Sequence, residues 1–197
     1  MLYGGTAVSL HLGHRRSADF DFFHDRPLDR DAIRRAFLFM RPAETLQETT
    51  DALVVLVPGK YLGGRVAVKV SFFGALRFGR VGDPLLTRDG VAEVASLEDL
   101  MAHKLKVILQ RPEKKDYQDI AAMLRTGVPL APGLAAARLF FGGAFQPAAS
   151  LRALTFFKDG DLPRLGLADQ RVLIKAAAAV GDLPRPVLRS RALAIRL

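Results

Sequence analysis

Near the start of the chain a double glycine, Gly4-Gly5, is followed after thirteen residues (Thr6–Ala18) by Asp19-Phe20-Asp21, and few folds accommodate that pairing. The stretch Ala18–Phe23 alternates acidic and aromatic residues, a strand pattern. Residues i and i+2 of a strand share a face, so Asp19 and Asp21 project together while Phe20 and Phe22 turn toward a core. Two neighbouring carboxylates repel each other and are costly to keep ionised unless a cation lies between them. Upstream, Met1–Tyr3 is a short apolar start, Gly4-Gly5 a turn and Thr6 the expected N-cap of a short helix through Ala7, Val8, Leu10 and Leu12. Gly13 suits the left-handed position that ends such a helix. The reading is strand, glycine turn, helix, strand, with the helix N-terminus and the carboxylates on neighbouring ends of the same unit.

Those two ends have complementary chemistry. Free N–H groups and the dipole at a helix N-terminus attract phosphate. An oxygen-only carboxylate pair suits Mg²⁺ or Mn²⁺, which commonly bring triphosphates with them. Together they describe a site for transfer from a nucleoside triphosphate (NTP), in which metal ions align the attacking and leaving oxygens.

Further along, Asp29 is expected to open a helix over Arg30–Arg41, and Leu53–Val57 is an apolar run stopped by Pro58-Gly59. Val66–Phe73 is β-branched and aromatic, so these two runs read as a hairpin or adjacent strands. Gly74–Ala95 reads as loop. Ser96 and Asp99 then form a capping box before the helical face Leu97, Leu100, Met101, Leu105, Ile108. Pro112 suits N1 of a following helix that passes Asp116, Ile120 and Leu124 to Gly127. The remainder is Ala/Leu-rich and punctuated by Pro and Gly, which predicts several short helices. Phe140-Phe141 and Phe156-Phe157 are expected in their core.

The run "LYGGTAVSLHLGHRRSADFDFF" resembles the opening motif of nucleotidyltransferases of the AbiEii/AbiGii toxin family, relatives of DNA polymerase β. A second run, "LEDLMAHKLKVILQRPEKKDYQDI", resembles that family's later helical motif, and the similarity covers most of residues 2–125. The resemblance implies an α+β fold: a polymerase-β-like nucleotidyltransferase core, with a small mixed or antiparallel sheet flanked by helices, over residues 1–92, and a helical C-terminal domain over 93–197. It implies Mg²⁺ (or Mn²⁺) as cofactor, an NTP substrate, an acceptor in tRNA or a protein, and an antitoxin protein as partner. Carried onto this chain, Gly4, Gly5 and Thr6 hold the triphosphate, Asp19 and Asp21 are the catalytic metal ligands, and Lys104 reaches toward phosphate. Lys69 fits the family's pattern as a second cationic clamp. Arg111, Lys115, Asp116 and Asp119 form the later signature, with Lys115 and Asp119 spaced as an i,i+4 pair. Asp116 is open to two roles: contacting nucleotide or orienting Lys104. His14, Arg15 and Arg16 lie between turn and carboxylates, where they either contact nucleotide or acceptor or stay solvated.

The chain departs from the family where a third carboxylate is expected. That position on the strand around Val66–Phe73 is occupied by Ser71, and no Asp or Glu lies in Leu53–Arg80. A neutral hydroxyl is a poor metal ligand and a poor general base, so a carboxylate from elsewhere, such as Asp83 or Glu93, is the remaining source. The double glycine also falls unusually early, which leads to the expectation of an uncovered apolar surface and a homodimer.

Composition narrows the class. With 29 Lys+Arg against 20 Asp+Glu, the net charge of +9 favours polyanionic partners. Seven basic residues, Arg164, Arg171, Lys175, Arg185, Arg189, Arg191 and Arg196, face only Asp169 and Asp182. They are either an RNA-tracking stripe or simply solvated charge. The absence of Cys excludes disulfides and thiolate metal sites. With no apolar run of about 18 residues, a cytoplasmic location is expected. Two further functions remain open: a nucleotide-binding regulatory module with weakened catalysis, and a basic RNA-binding module.

Overall fold

The computed structural model describes residues 1–195. Arg196, the last member of the basic series, lies outside them. The order is β1 (Leu2–Tyr3), α1 (Gly4–Leu12), β2 (Phe20–Phe23), α2 (Arg30–Ala36), β3 (Glu44–Thr49), β4 (Ala52–Val57), β5 (Val68–Phe73), β6 (Leu85–Leu86) and β7 (Glu93–Val94). Five helices follow: α3 (Leu97–Val107), α4 (Lys114–Arg125), α5 (Leu130–Phe141), α6 (Pro147–Leu154) and α7 (Leu167–Ala178). The strands form one mixed sheet of seven in the order β3-β4-β5-β2-β1-β7-β6. The architecture is α+β, as expected.

Register assigns each side chain to a face. Strand β2 runs antiparallel to β1 and parallel to β5, with Asp21 opposite both Tyr3 and Ser71. Strand β4 runs antiparallel to β5, with Val54 opposite Ser71. Tyr3, Asp21, Ser71 and Val54 therefore share one face. The other face carries Leu53, Val55, Val57, Val70 and Phe72, which form a small core with Met40, Ile33 and the rings of Phe20 and Phe22. Each fully buried Leu or Val contributes about 1.5–3 kcal/mol there. The larger core joins Leu2, Tyr3, Ala7 and Val8 to Leu100, Met101 and Leu105 of α3 and to Tyr117 and Ile120 of α4. Helix α1 thus packs directly on the helices of the second motif, and this brings the two motifs together.

Several local expectations are corrected. Helix α1 begins at Gly4, with Tyr3 and not Thr6 at the N-cap position. Thr6 is buried, and its hydroxyl donates to the Asp19 carbonyl beside Ser17 Oγ, so a tertiary contact replaces the cap. Helix α2 stops at Ala36 because Phe37 turns extended and stacks on Phe72, ring centroids 5.9 Å apart. Its Asp29 cap does form, accepting from Ala32 N at 2.8 Å. Strand β5 starts at Val68, since Gly59–Leu62 forms a 3-10 turn and Gly59 lies against the backbone of Val66. The 74–95 segment is not all loop, for β7 pairs with β1 and β6 with β7, which extends the sheet. Helix α4 starts at Lys114 after Glu113, so Pro112 precedes it and does not occupy N1. Phe140 and Phe141 pack into the core as expected, whereas Phe156, beyond the end of α6, is 48% exposed.

After α7 the chain returns to the sheet side of the molecule. Ser190 bridges to Arg80, Arg189 pairs with Asp83 at 2.5 Å, and Leu193 is buried. Among the described residues no helix is long and apolar enough to cross a membrane.

Candidate active site

The site is built where α1, β2, β5, α3 and α4 meet. Tyr3 is extended and Gly4 has φ +73°, a left-handed conformation that favours glycine. The N-cap side chain makes no hydrogen bond to the first-turn amides of α1, which leaves these N–H groups available to an anion. A Cβ on Gly4 would overlap Asp21 Oδ2, and one on Gly5 would overlap the Arg15 guanidinium. Gly4 is thus favoured by its backbone conformation, and at both glycines a side chain would displace a charged group: a carboxylate and a cation lie directly on the backbone that opens the helix.

Asp19 just precedes β2, with Lys69 Nζ 3.8 Å from its Oδ2. Ser71, 2% exposed, stands next to Asp21 across the parallel β2–β5 register. No other carboxylate lines this cleft among the described residues. Asp83 is held by Arg80 and Arg189, and Glu93 accepts from Ile195 N at 3.0 Å, so neither supplies a third acid here.

Behind the cleft lies a charged network with no exposure of its acids. Lys104 Nζ is 2.6 Å from Asp116 Oδ1 and 2.6 Å from Asp119 Oδ2. Arg15 grips Asp119 bidentately through Nε (2.6 Å) and Nη2 (2.8 Å), and His14 Nε2 adds a contact at 2.8 Å. Arg111 Nε donates to Asp116 Oδ2 at 3.1 Å. Burial by itself would raise the Asp119 carboxyl, but the Arg15 hydrogen bond and the Lys104 charge outweigh it and hold it below the ordinary carboxylate range. Burial likewise acts to lower Arg15, and the Asp119 hydrogen bond reverses this, so its guanidinium is raised. The expected Lys115–Asp119 pair does not form. Asp119 points into the core with its oxygens already engaged, while Lys115 pairs with Glu113 at 3.0 Å.

The resulting cleft has a volume of about 290 Å³. Of the residues singled out from the sequence, it brings together Gly5, Arg15, Asp19, Asp21, Lys69 and Lys104, joined by Arg111 and Lys115 of the later signature. Gly4 lies beneath Asp21 in an adjoining hollow. Thr6, Arg16 and Asp116 do not line it: Thr6 is occupied by Asp19, Arg16 is exposed, and Asp116 sits behind Lys104. Five cations line it against Asp19 and Asp21. Arg15, Lys104 and Arg111 share the buried Asp116 and Asp119 behind the lining, so the surface that faces the cleft is cationic and suits a multiply charged anion. Among the described residues there is no group of three or more His, Asp or Glu able to hold a metal. Asp19 and Asp21 nevertheless fit Mg²⁺, which is commonly held by one or two carboxylates and completed by substrate phosphates and water.

Comparison with known proteins now places the chain. Residues 1–179 match the family described as "Nucleotidyl transferase AbiEii toxin, Type IV TA system". The chain belongs to this family. An uncharacterised protein of Aquifex aeolicus (strain VF5), aq_aa25, is 32% identical over 126 residues, covering 63% of this chain. The match spans 57% of that relative's length. A crystal structure of an H. pylori protein, provisionally assigned as a nucleotidyltransferase, superposes with a TM-score of 0.58 at 16% identity. It covers 90% of this chain and 84% of its own, and it supports the fold.

For an AbiEii-family member, the lining residues absent from the sequence reading are Ser17, Gln47, Val54 and Phe73. Gln47 lies on β3, which is exposed throughout and polar except for Leu46, so nothing in its pattern marks it. Asp119, named from the sequence as part of the later signature, lies behind the lining, where it and Asp116 form an i,i+3 acidic pair on α4 with both members buried.

Proposed function

We propose that the cleft binds a Mg²⁺- or Mn²⁺-bound NTP and transfers its nucleoside monophosphate to an acceptor hydroxyl, releasing pyrophosphate. The observation that carries this reading is the placement of Asp21 and Arg15 on the side-chain-free backbone of Gly4 and Gly5. It supports the reading because a carboxylate able to hold a metal and a helix N-terminus able to hold phosphate share one cleft.

Asp19 and Asp21 would hold the metal, which when bound aligns the reacting oxygens and neutralises developing charge. The first-turn amides of α1 and the Arg15 guanidinium hold phosphate oxygens. Lys104, fixed by Asp116 and Asp119, and the neighbouring Arg111 offset the charge that builds on the departing pyrophosphate. Lys69, beside Asp19, lies on the Ser71 side, where the acceptor hydroxyl approaches. Among the described residues the only carboxylate bases in the lining are Asp19 and Asp21, so the acceptor proton passes to one of them, to a phosphate oxygen or to water. The +9 charge favours tRNA over a protein hydroxyl as acceptor. The type IV toxin family supports an antitoxin protein as a cellular partner.

Incubation with labelled NTPs, Mg²⁺ and total RNA or protein tests this reading. Label enters the acceptor with the wild type and not with Asp19→Ala or Asp21→Ala. Equal labelling by all three would sink it. Ser71 favours a second reading, a nucleotide-binding regulatory module of the same pocket. That reading expects Mg²⁺-dependent NTP binding without turnover, and label transfer gained by Ser71→Asp.

A further inference from the structure

A second hollow, about 260 Å³, opens beside the cleft and shares Gly5, Asp21, Lys104 and Arg111 with it. Phe73 also lies on the border of the two, and the walls found only in the hollow are different in kind: Tyr3, Phe23, Leu100 and Val107, with Gln110 at the exposed mouth. It touches Asp21 but not Asp19, Lys69 or Ser71. Two polar groups in its wall lack partners. Tyr3 is 1% exposed and its buried hydroxyl makes no hydrogen bond, nor does the buried Nε2 of His103. The His103 ring is boxed by Tyr3, Phe23, Phe78 and Phe141 at centroid distances of 4.5–5.6 Å, and burial lowers its pKa to about 3. Such a ring stays uncharged and offers one donor and one acceptor. An aromatic hollow with unsatisfied neutral hydrogen-bonding groups suits a planar heterocycle better than a further phosphate.

We infer that this hollow is the nucleoside subsite of the cleft, taking the base and ribose of the NTP donor between the aromatic wall of β1, β2 and β5 and the last turns of α3. The inference rests on the NTP-binding reading above. The nucleoside hangs from the α-phosphate, whose place beside the carboxylate pair opens on the Asp21 side into this hollow. The base lies against the aromatic wall. Gln110, with both a donor and an acceptor amide, reads its edge at the mouth and sets the preference among bases.

Calorimetric titration in Mg²⁺ compares each common ribonucleoside triphosphate with inorganic tripolyphosphate. Base stacking of this kind gives the preferred NTP about a tenfold advantage over tripolyphosphate in the wild type. Val107→Trp, which fills the hollow, removes that advantage and leaves tripolyphosphate affinity within about twofold. Gln110→Ala, at an exposed position that folding tolerates, changes the ranking among bases. If the Val107 variant fails to melt cooperatively, Gln110→Trp at the mouth replaces it. Equal binding of NTP and tripolyphosphate by the wild type, or an NTP advantage that survives the filled hollow, overturns the subsite and leaves the cleft reading intact. Binding of neither ligand overturns both.

Discussion

At Gly4 a positive φ and the overlap of any Cβ with Asp21 Oδ2 act together. A Gly4→Ala variant therefore loses about 1–2 kcal/mol of stability from the left-handed strain and displaces the carboxylate. Chemical denaturation reads the first effect, and weakened Mg²⁺-dependent NTP binding reads the second. Asp119 gives a pH test. Its folded pKa lies below the ordinary 3.8, so its ion pairs stabilise fully above that value and are lost as pH falls through the depressed folded pKa. Asp119→Asn removes this acid-side decline from the stability profile. It also leaves Arg15 and Lys104 short of a partner, at a cost of about 3–5 kcal/mol near neutrality. An unchanged urea midpoint at pH 7 would count against the network described here.

Helix α3 shows how one cap can organise more than its own element. Ser96 Oγ accepts from Asp99 N at 3.1 Å and donates to Asp99 Oδ2 at 2.7 Å, while Asp99 Oδ1 accepts from Val81 N at 2.8 Å. The Ser96 cap thus starts the helix that carries Lys104, and the Asp99 carboxylate, which would return to the Ser96 amide in the expected capping box, instead ties down the 80–82 segment. Ser96→Ala should cost about 1 kcal/mol, near the usual value for a lost cap. Asp99→Ala should cost more in the same urea titration, because it also releases the amides of Val81 and Gly82. Element boundaries were legible where such chemistry is local: Asp29, Ser96 and Gly13 each act where their residue types suggest. They were illegible at β3 and β6, whose exposed side chains carry no periodic signal and whose strands exist through backbone pairing with a neighbour.

For the whole molecule, the return of the chain after α7 ties its last described residues to the segment between β5 and β6. Leu193, 1% exposed, is buried three residues after the Ser190 that bridges to Arg80 and is not part of the cleft lining. Leu193→Ala should cost about 2–5 kcal/mol, seen as a Tm lowered by roughly 5–15 °C, with NTP affinity unchanged. The order of Gly4-Gly5, Asp19-Phe20-Asp21 and the Ser96 cap, with period-2 and period-3.6 patterns, was enough to read a mixed strand-and-helix half followed by helices, because backbone geometry and hydrophobic spacing are local properties. The resemblance of the two motifs supplied the α+β class. Their meeting was not readable in that way. That Lys104 is clamped between Asp116 and Asp119, that Arg15 lies on Gly5, that Thr6 serves Asp19 in place of a cap, and that Ser71 stands alone beside Asp21 all depend on α1 packing against α3 and α4 and on the β2–β5 register. Burial makes each of those charged groups choose the partner that removes its desolvation cost, and only three-dimensional packing supplies that partner.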